Sequence, residues 1–260
     1  MSSARLGRRS VLAGGAAAVG TVTLAAAPPA AAAAPGAEAA VGARILAADP
    51  HYELLTTGMD KRFVARPEHI KMIRSSADAA RALREALRAG KRVSVRSGGH
   101  CVADFTCNPE VEVILDFSEM TAVGYDPEFR AFYVGAGARL SNAYEALCKG
   151  WGVTIPGGVC HSVGAGGHVS GGGYGMLSRA HGLVVDHLYA VEVVVVDVRG
   201  RVRTVVATRE RDDPNRDVWW AHTGGGGNFG YGAASVVTAR RPGAPLPGGS
   251  PVTSPRTLLD

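Results

Sequence analysis

Gly157-Gly158-Val159-Cys160-His161-Ser162-Val163-Gly164-Ala165-Gly166-Gly167-His168-Val169-Ser170-Gly171-Gly172-Gly173-Tyr174-Gly175 decides how this chain is read. Seven of the twelve residues from Gly164 onward are glycine. A flexible linker of that glycine content is serine-rich and poor in apolar residues. Here Val159, Val163, Val169, Met176 and Leu177 bracket the glycines, so the stretch reads as a packed loop. Glycine lets backbone take up positive φ and lets N–H groups curl around an anion such as a pyrophosphate. A shorter stretch of the same kind, Ser97-Gly98-Gly99-His100, follows the alternating segment Arg92-Val93-Ser94-Val95-Arg96. Taken alone, that second stretch is equally well an ordinary turn.

Working outward, Ile70, Ile73, Ala77, Ala80, Leu83 and Leu87 recur at helical spacing, which predicts a helix over Glu68 to Ala89 stopped by Gly90. Strands are expected at Arg92–Arg96, Val111–Phe117 and Arg130–Gly135, the last after the turn Asp126-Pro127. A helix is expected over Leu140 to Lys149 with Gly150 at its end. Leu188 to Val198 is the strongest strand, a valine run of the kind buried on both faces. Arg199-Gly200 turns it back into Arg201–Val206 as a hairpin. The order is strand, helix, then many strands with glycine-rich connections, which is α+β rather than doubly wound. No Gly-x-Gly-x-x-Gly sits at a strand-to-helix turn with an acidic residue downstream, which argues against a dinucleotide-binding Rossmann unit.

The ends differ from this middle. Arg8-Arg9-Ser10-Val11-Leu12 precedes an uncharged alanine-rich run to Ala34, the pattern of a secretory signal over residues 1–40. The paired arginines and weak hydrophobicity resemble the twin-arginine type, which implies a secreted or extracytoplasmic protein with no membrane attachment after signal removal. An alanine-rich leader or a membrane anchor are the alternatives. Gly14, Gly15, Gly20, Pro28 and Pro29 break the run, and alanine is barely apolar enough to span lipid. Of the net charge of +5, the leader and the tail after Thr238 each carry +2. The middle is close to neutral and carries no nucleic-acid footprint. Four cysteines in 260 residues make no disulfide scaffold. Cys160-His161 with His168 lacks the regular ligand spacing of a metal site, so no metal is expected.

Three motifs in order carry a resemblance: Val93 to His100, Gly157 to Gly175 running on to Leu177-Ser178-Arg179 and Gly182–Asp186, and Trp219-Trp220-Ala221-His222-Thr223-Gly224 on to Gly230. From Phe63 to Gly230 the chain resembles the PCMH-type FAD-binding domain shared by vanillyl-alcohol oxidase and the berberine-bridge-enzyme-like oxidases. The likeness is strongest to bacterial members that oxidise sugars and glycosylated natural products. It implies an FAD-binding domain over residues 63–242, built of two small α/β subdomains, followed by a disordered tail over 243–260.

The resemblance also implies FAD bound covalently twice, through His100 to the 8α-methyl and through Cys160 to ring carbon 6. A covalent attachment needs a nucleophile at the mouth of a loop that already grips the cofactor, and both residues meet that condition. Without the motifs, His100 would read as a loop histidine and Cys160 as a buried apolar thiol. Cys101 is the rival thiol; in an extended segment it would point away from His100. Further cofactor contacts are expected from Arg96, Ser97, Gly98, Gly99, Val163, Gly164, Gly166, Gly167, His168, Gly171, Gly172, Gly173, Gly175 and Val237. Tyr174 matches a tyrosine that helps deprotonate the substrate hydroxyl in sugar-oxidising relatives; packing or adenosine contact is the equal alternative. Asp186 and Asn228 fit local turns or cofactor contact, the turn being favoured.

Members of the family continue past the third motif with a substrate domain and a return segment. Here Tyr231-Gly232-Ala233-Ala234-Ser235 leads through Val236-Val237-Thr238 into Arg240-Arg241-Pro242 and a proline- and glycine-rich tail. The chain therefore reads as truncated or frame-shifted, with the substrate domain missing, or as a natural minimal flavin module. The leading functional expectation is an exported FAD-dependent oxidase of an alcohol or sugar CH–OH group. Its partners would be a small-molecule substrate, a sugar or glycosylated metabolite, and molecular oxygen. The alternative is an FAD-binding remnant or partner subunit that does not turn over substrate. Flavin subunits of molybdenum hydroxylases and the peptidoglycan-precursor reductases share the fold but leave His100 with Cys160 unexplained.

Overall fold

Where the helical spacing predicts one helix over Glu68 to Ala89, the chain makes two elements. A computed structural model describes residues 42–127 and 129–240. The signal expected over 1–40 and the tail expected over 243–260 lie outside the described residues. After β1 (Arg44–Ile45) and α1 (Tyr52–Thr56), β2 runs from His69 to Met72 and α2 from Ser76 to Arg88. Ser75 divides β2 from α2. Its backbone is extended and its Oγ accepts from the Asp78 N–H at 3.1 Å, an N-cap that starts the helix there. Ile70 in β2 and Ile73 just after it fit a helical period only because the chain there is buried on successive positions, as a parallel strand is.

β3 (Val93–Arg96) and β4 (Val113–Asp116) complete a first sheet in the order β1-β2-β4-β3. β2, β4 and β3 are mutually parallel and β1 is antiparallel on the edge. β5 (Val123–Asp126) and β6 (Ala131–Gly135) open a second sheet. Next come α3 (Leu140–Trp151), α4 (Ala165–Ser170), α5 (Ser178–His181) and a single 3-10 turn, Val184–His187. β7 (Leu188–Val196), β8 (Val202–Thr208), α6 (Arg216–Ala221) and β9 (Tyr231–Arg240) finish the described chain. The second sheet is antiparallel throughout, in the order β5-β6-β9-β7-β8.

The fold class is α+β, as expected, with parallel and antiparallel layers kept apart. Three boundaries differ from expectation. β5 has little apolar pattern and gains its place by pairing Val123 with Val134 of β6. α3 runs past Gly150 to Trp151, because Gly152, at φ 67°, is the residue that takes the left-handed cap. Tyr231 to Ser235 continues directly into the Val236–Thr238 strand as one element, β9, which sits between β6 and β7.

The core lies on both faces of β7. Val191 and Val193 join Phe132, Leu140, Leu147 and Leu188 in one cluster under α3. Val194 and Val196 join Ala79, Leu83, Leu115 and Phe117 in another, under α2. Both faces are apolar, which is why Val193 to Val196 reads as an unbroken valine run. Each such side chain contributes about 1.5–3 kcal/mol on burial, which holds the two sheets firmly enough to support a cavity.

Candidate functional site

The loop after β3 and the loop before α4 meet backbone to backbone. A Cβ on Gly98 would lie 2.7 Å from Gly164 Cα and 2.8 Å from Ser162 O; one on Gly164 would strike Ser97 Oγ and the Gly98 nitrogen. Ser97 Oγ donates to Ala136 O at 2.5 Å, while Ala165 N and Gly166 N donate to Ala138 O and Ala136 O at 2.8 and 2.9 Å. Both glycine stretches are thus moored to the end of β6.

Beside this junction opens a cavity of about 910 Å³, at the upper end of the usual range for small-molecule and cofactor sites. One wall is β3 with Ser97, Gly99, His100 and Cys101; another is Gly164 to Ser170; a third is the loop from His222 to Gly230. Ser170 O accepts from both Gly224 N and Gly226 N at 3.0 Å, which ties the third wall to the second.

Of the residues expected to meet a cofactor, Arg96, Ser97, Gly99, His100, Val163, Gly164, Gly166, Gly167 and His168 line this cavity. His100 Nε2 lies 2.7 Å from Ser162 Oγ, a hydrogen bond joining the two glycine loops and leaving Nδ1 as the other ring nitrogen. Arg96 is paired with the fully buried Asp116 at 2.7 Å and packs under Gly99; its role here is to prop the loop. His168 Nε2 accepts from the Gly158 N–H at 3.0 Å, and burial pushes the ring's pKa down, so it is held neutral with its proton on Nδ1.

The remaining expected residues stand behind the lining. Gly98 is the contact already described. Gly171 and Gly172 turn the chain after α4, and Gly172 O and Gly173 O accept from Val185 N and Val184 N. Gly173 has φ 73°, and a Cβ there would sit 2.6 Å from the Val184 side chain, so glycine is required twice over. A Cβ on Gly175 would strike Gly157 O. Cys160 is exposed on the loop between Gly158 and Val163, outside the lining. Tyr174 is 75% exposed and also outside it. Val237 lies on β9, paired with Tyr133 and Ala190 through the backbone.

Cys101 lines the same cavity as His100, and Gly99, at φ 74°, turns the chain just before both. Asp186 Oδ2 accepts from Leu183 N at 2.7 Å, which is the local turn. Asn228 Nδ2 donates to Gly225 O at 2.7 Å, also a turn, on the cavity wall. The long expected loop from Gly164 to Gly175 begins as α4: glycine costs a helix about 1 kcal/mol per residue, and the mooring to β6 offsets that.

His222 was not singled out from the sequence. It is 2% exposed, its Nδ1 lies 2.8 Å from Val218 O, and its Nε2 is buried without a partner among the described residues. With Nδ1–H donating to that carbonyl, Nε2 offers a lone pair in the cavity wall. Gly167, Gly224 and Gly226 line the cavity where a Cβ would meet nothing within 4 Å, leaving backbone open to the space. These observations fit a large ligand with a diphosphate, which bare backbone can follow closely, and with N–H or O–H donors for His222. Among the described residues no group of three or more His, Cys, Asp or Glu could hold a metal ion, and no helix is long and apolar enough to cross a membrane.

Comparison with known proteins agrees with this fit. The family model described as "FAD binding domain" matches residues 67–205. The chain is 50% identical over 256 residues to the aclacinomycin-N/aclacinomycin-A oxidase of Streptomyces galilaeus, covering 91% of this chain and 46% of that protein. The crystal structure of a glycopeptide hexose oxidase complexed with teicoplanin superposes with a TM-score of 0.75 at 50% identity, over 82% of this chain and 43% of that one. Glucooligosaccharide oxidase from Acremonium strictum, whose FAD is described as 6-S-cysteinyl and 8α-N1-histidyl, superposes at 0.67 with 29% identity, over 76% and 40%. The chain thus spans less than half the length of each of these relatives.

Proposed function

Because the chain belongs to the FAD-binding domain family, we propose that the cavity holds FAD, attached through His100 and Cys160, in an oxidoreductase that acts on a CH–OH group of a sugar or glycoside. When bound, the flavin supplies an acceptor for the hydride of the substrate C–H bond, and molecular oxygen is the final electron acceptor. The observation that carries the reading is the junction of the two glycine loops. It sets His100 on the cavity wall, hydrogen-bonded to Ser162, two residues from Cys160.

The chain's own residues divide the work. Gly99, Gly164, Gly166, Gly167 and Gly224 to Gly227 let backbone follow the diphosphate. His222 Nε2 accepts from an N–H or O–H of the cofactor. His100 attaches through Nδ1, since its Nε2 is engaged by Ser162. Cys160 attaches through its thiol, which the exposed loop leaves free to approach the cavity mouth. The glucooligosaccharide oxidase, with histidyl and cysteinyl links of its own, supports the pairing. Tyr174 takes the hydroxyl proton of the substrate once that hydroxyl is held within hydrogen-bond reach of its Oη.

A second reading has one observation in its favour. Tyr174 and Met176 stand 75% and 83% exposed, so these residues alone give a substrate little to lean on. Alignment supplies several kcal/mol of the barrier. On this reading the 260-residue chain binds FAD and turns over substrate poorly.

The two readings share one test. Acid-denatured protein keeps its yellow colour if the flavin is covalent; His100→Ala and Cys160→Ala each keep one bond, and the double variant releases free FAD. Complete release from the unmutated protein overturns the attachment. Peroxide formation with a panel of mono- and oligosaccharides, abolished by Tyr174→Phe, decides between catalyst and binding module.

A further inference from the structure

Cys160 is exposed, so no pocket of its own fixes its thiol; its place is set by the backbone on either side. Downstream, Val163 N donates to Cys160 O at 3.2 Å, and the start of α3 holds the same loop through Leu140 N to Val163 O at 2.9 Å and Ser141 N to His161 O at 3.2 Å. Upstream, the anchor is Gly158. Its N–H donates to His168 Nε2 at 3.0 Å and its carbonyl accepts from Tyr144 Oη at 2.6 Å. One peptide residue is therefore gripped through both polar groups by side chains from two helices, α3 and α4.

The grip leaves no slack. A Cβ on Gly157 would lie 2.6 Å from Tyr144 Oη, and one on Gly158 would lie 3.1 Å from His168 Cε1 and 3.4 Å from Tyr174 O. Burial pushes the Tyr144 hydroxyl up to about 12, so it remains a donor across the working pH range.

We propose that Tyr144 and His168 are positioning residues that clamp Gly158 and thereby aim the Cys160 thiol at the FAD. This rests on the reading above that Cys160 is an attachment point. In the attachment, the Cys160 S–H bond and one ring C–H bond of the cofactor are lost and one S–C bond forms. The two electrons and two protons released reduce one molecule of oxygen to hydrogen peroxide, so the step balances without another reactant. A bond of this kind forms quickly only if the sulfur is held in a near-attack position. His100 is held by a different contact, Ser162, so loss of the clamp slows one attachment and spares the other.

The test incubates the full apo-chain with FAD in air and follows the Cys160- and His100-containing peptides by mass spectrometry. Tyr144→Phe and His168→Leu each remove one hydrogen bond to Gly158. Each should slow Cys160 attachment about fivefold, the equivalent of one hydrogen bond, while in Tyr144→Phe, which lies outside the cavity lining, His100 attachment keeps its normal rate. His168→Gln, whose Oε1 can accept from the Gly158 N–H, should recover most of the Cys160 rate. Equal slowing of both attachments in Tyr144→Phe, an unchanged Cys160 rate, or identical behaviour of the Leu and Gln variants overturns the clamp. If the unmutated chain attaches FAD through His100 alone, the assignment of Cys160 itself has failed, and the two failures are told apart.

Discussion

Replacing Gly98 by alanine should damage the protein in a way that replacing Gly167 does not. At Gly98 the new methyl would sit 2.7 Å from Gly164 Cα and 2.8 Å from Ser162 O, against backbone that cannot rotate aside. Ordinary carbon contacts are about 3.5–4.0 Å, so the two glycine loops must part by roughly 1 Å. Overpacking of this kind costs about 1–3 kcal/mol, which for a domain of this size lowers Tm by about 2–10 °C. A parting of that size would carry the 2.7 Å His100–Ser162 hydrogen bond out of range, so covalent flavin should fall as well. Gly167 stands inside α4 with nothing within 4 Å of its would-be Cβ. Alanine there should raise the apo-protein's stability by about 0.5–1 kcal/mol through helix propensity. Its methyl would also project into the cavity, so the rise in Tm on adding FAD should shrink. Scanning fluorimetry of both variants with and without FAD measures the stability shifts, and the yellow colour kept after acid denaturation measures covalent flavin. Apo-protein shifts of the same sign, or an undiminished FAD response in Gly167→Ala, would refute the packing and the cavity assignment respectively.

The pH dependence of stability should carry a His168 component. Burial lowers the folded pKa of His168 below its ordinary 6.5, so the unfolded chain binds the proton first as pH falls. The contribution is therefore fully present above pH 6.5 and is lost as pH drops toward the folded value. His69 is lowered in the same direction by burial and Arg44, so the comparison is of wild type with His168→Gln in urea titrations; parallel curves would remove His168 as a contributor. At the amino terminus, we propose export through the twin-arginine pattern. Changing Arg8 and Arg9 to lysine should leave precursor inside the cell on fractionation, and normal secretion of that variant would exclude the route.

The glycine stretches were legible because most of their glycines answer a local demand, for positive φ or for contact closer than a Cβ allows, Gly167 being an exception. Gly98, Gly164, Gly173 and Gly175 bear this out residue by residue. The division at Ser75 was less legible, since a parallel strand buried on both faces has no alternation to set it apart from a helix. The turn at Gly99, a single positive φ before His100, was legible only as a glycine pair. His222 could not be found from spacing at all. Its value lies in a carbonyl that occupies one ring nitrogen and in burial that leaves the other unpartnered, and both are products of the tertiary fold. The quoted Trp219–Gly230 motif held it in view, but as a glycine stretch rather than as a polar group.

β9 is the last described strand to leave the ribosome, and it belongs in the middle of its sheet, between β6 and β7. Until it arrives, the β5–β6 pair and the β7–β8 hairpin exist as separate ribbons, each with an open, apolar edge able to pair with another chain. About a hundred residues separate β6 from β9, so joining them is a long-range and therefore slow event in folding. The His222–Gly230 loop, the third wall of the cavity, directly precedes that strand. Nascent chains should consequently be vulnerable to aggregation until residue 240 has emerged, and flavin loading should be a late, post-translational event rather than one that guides the early steps of folding.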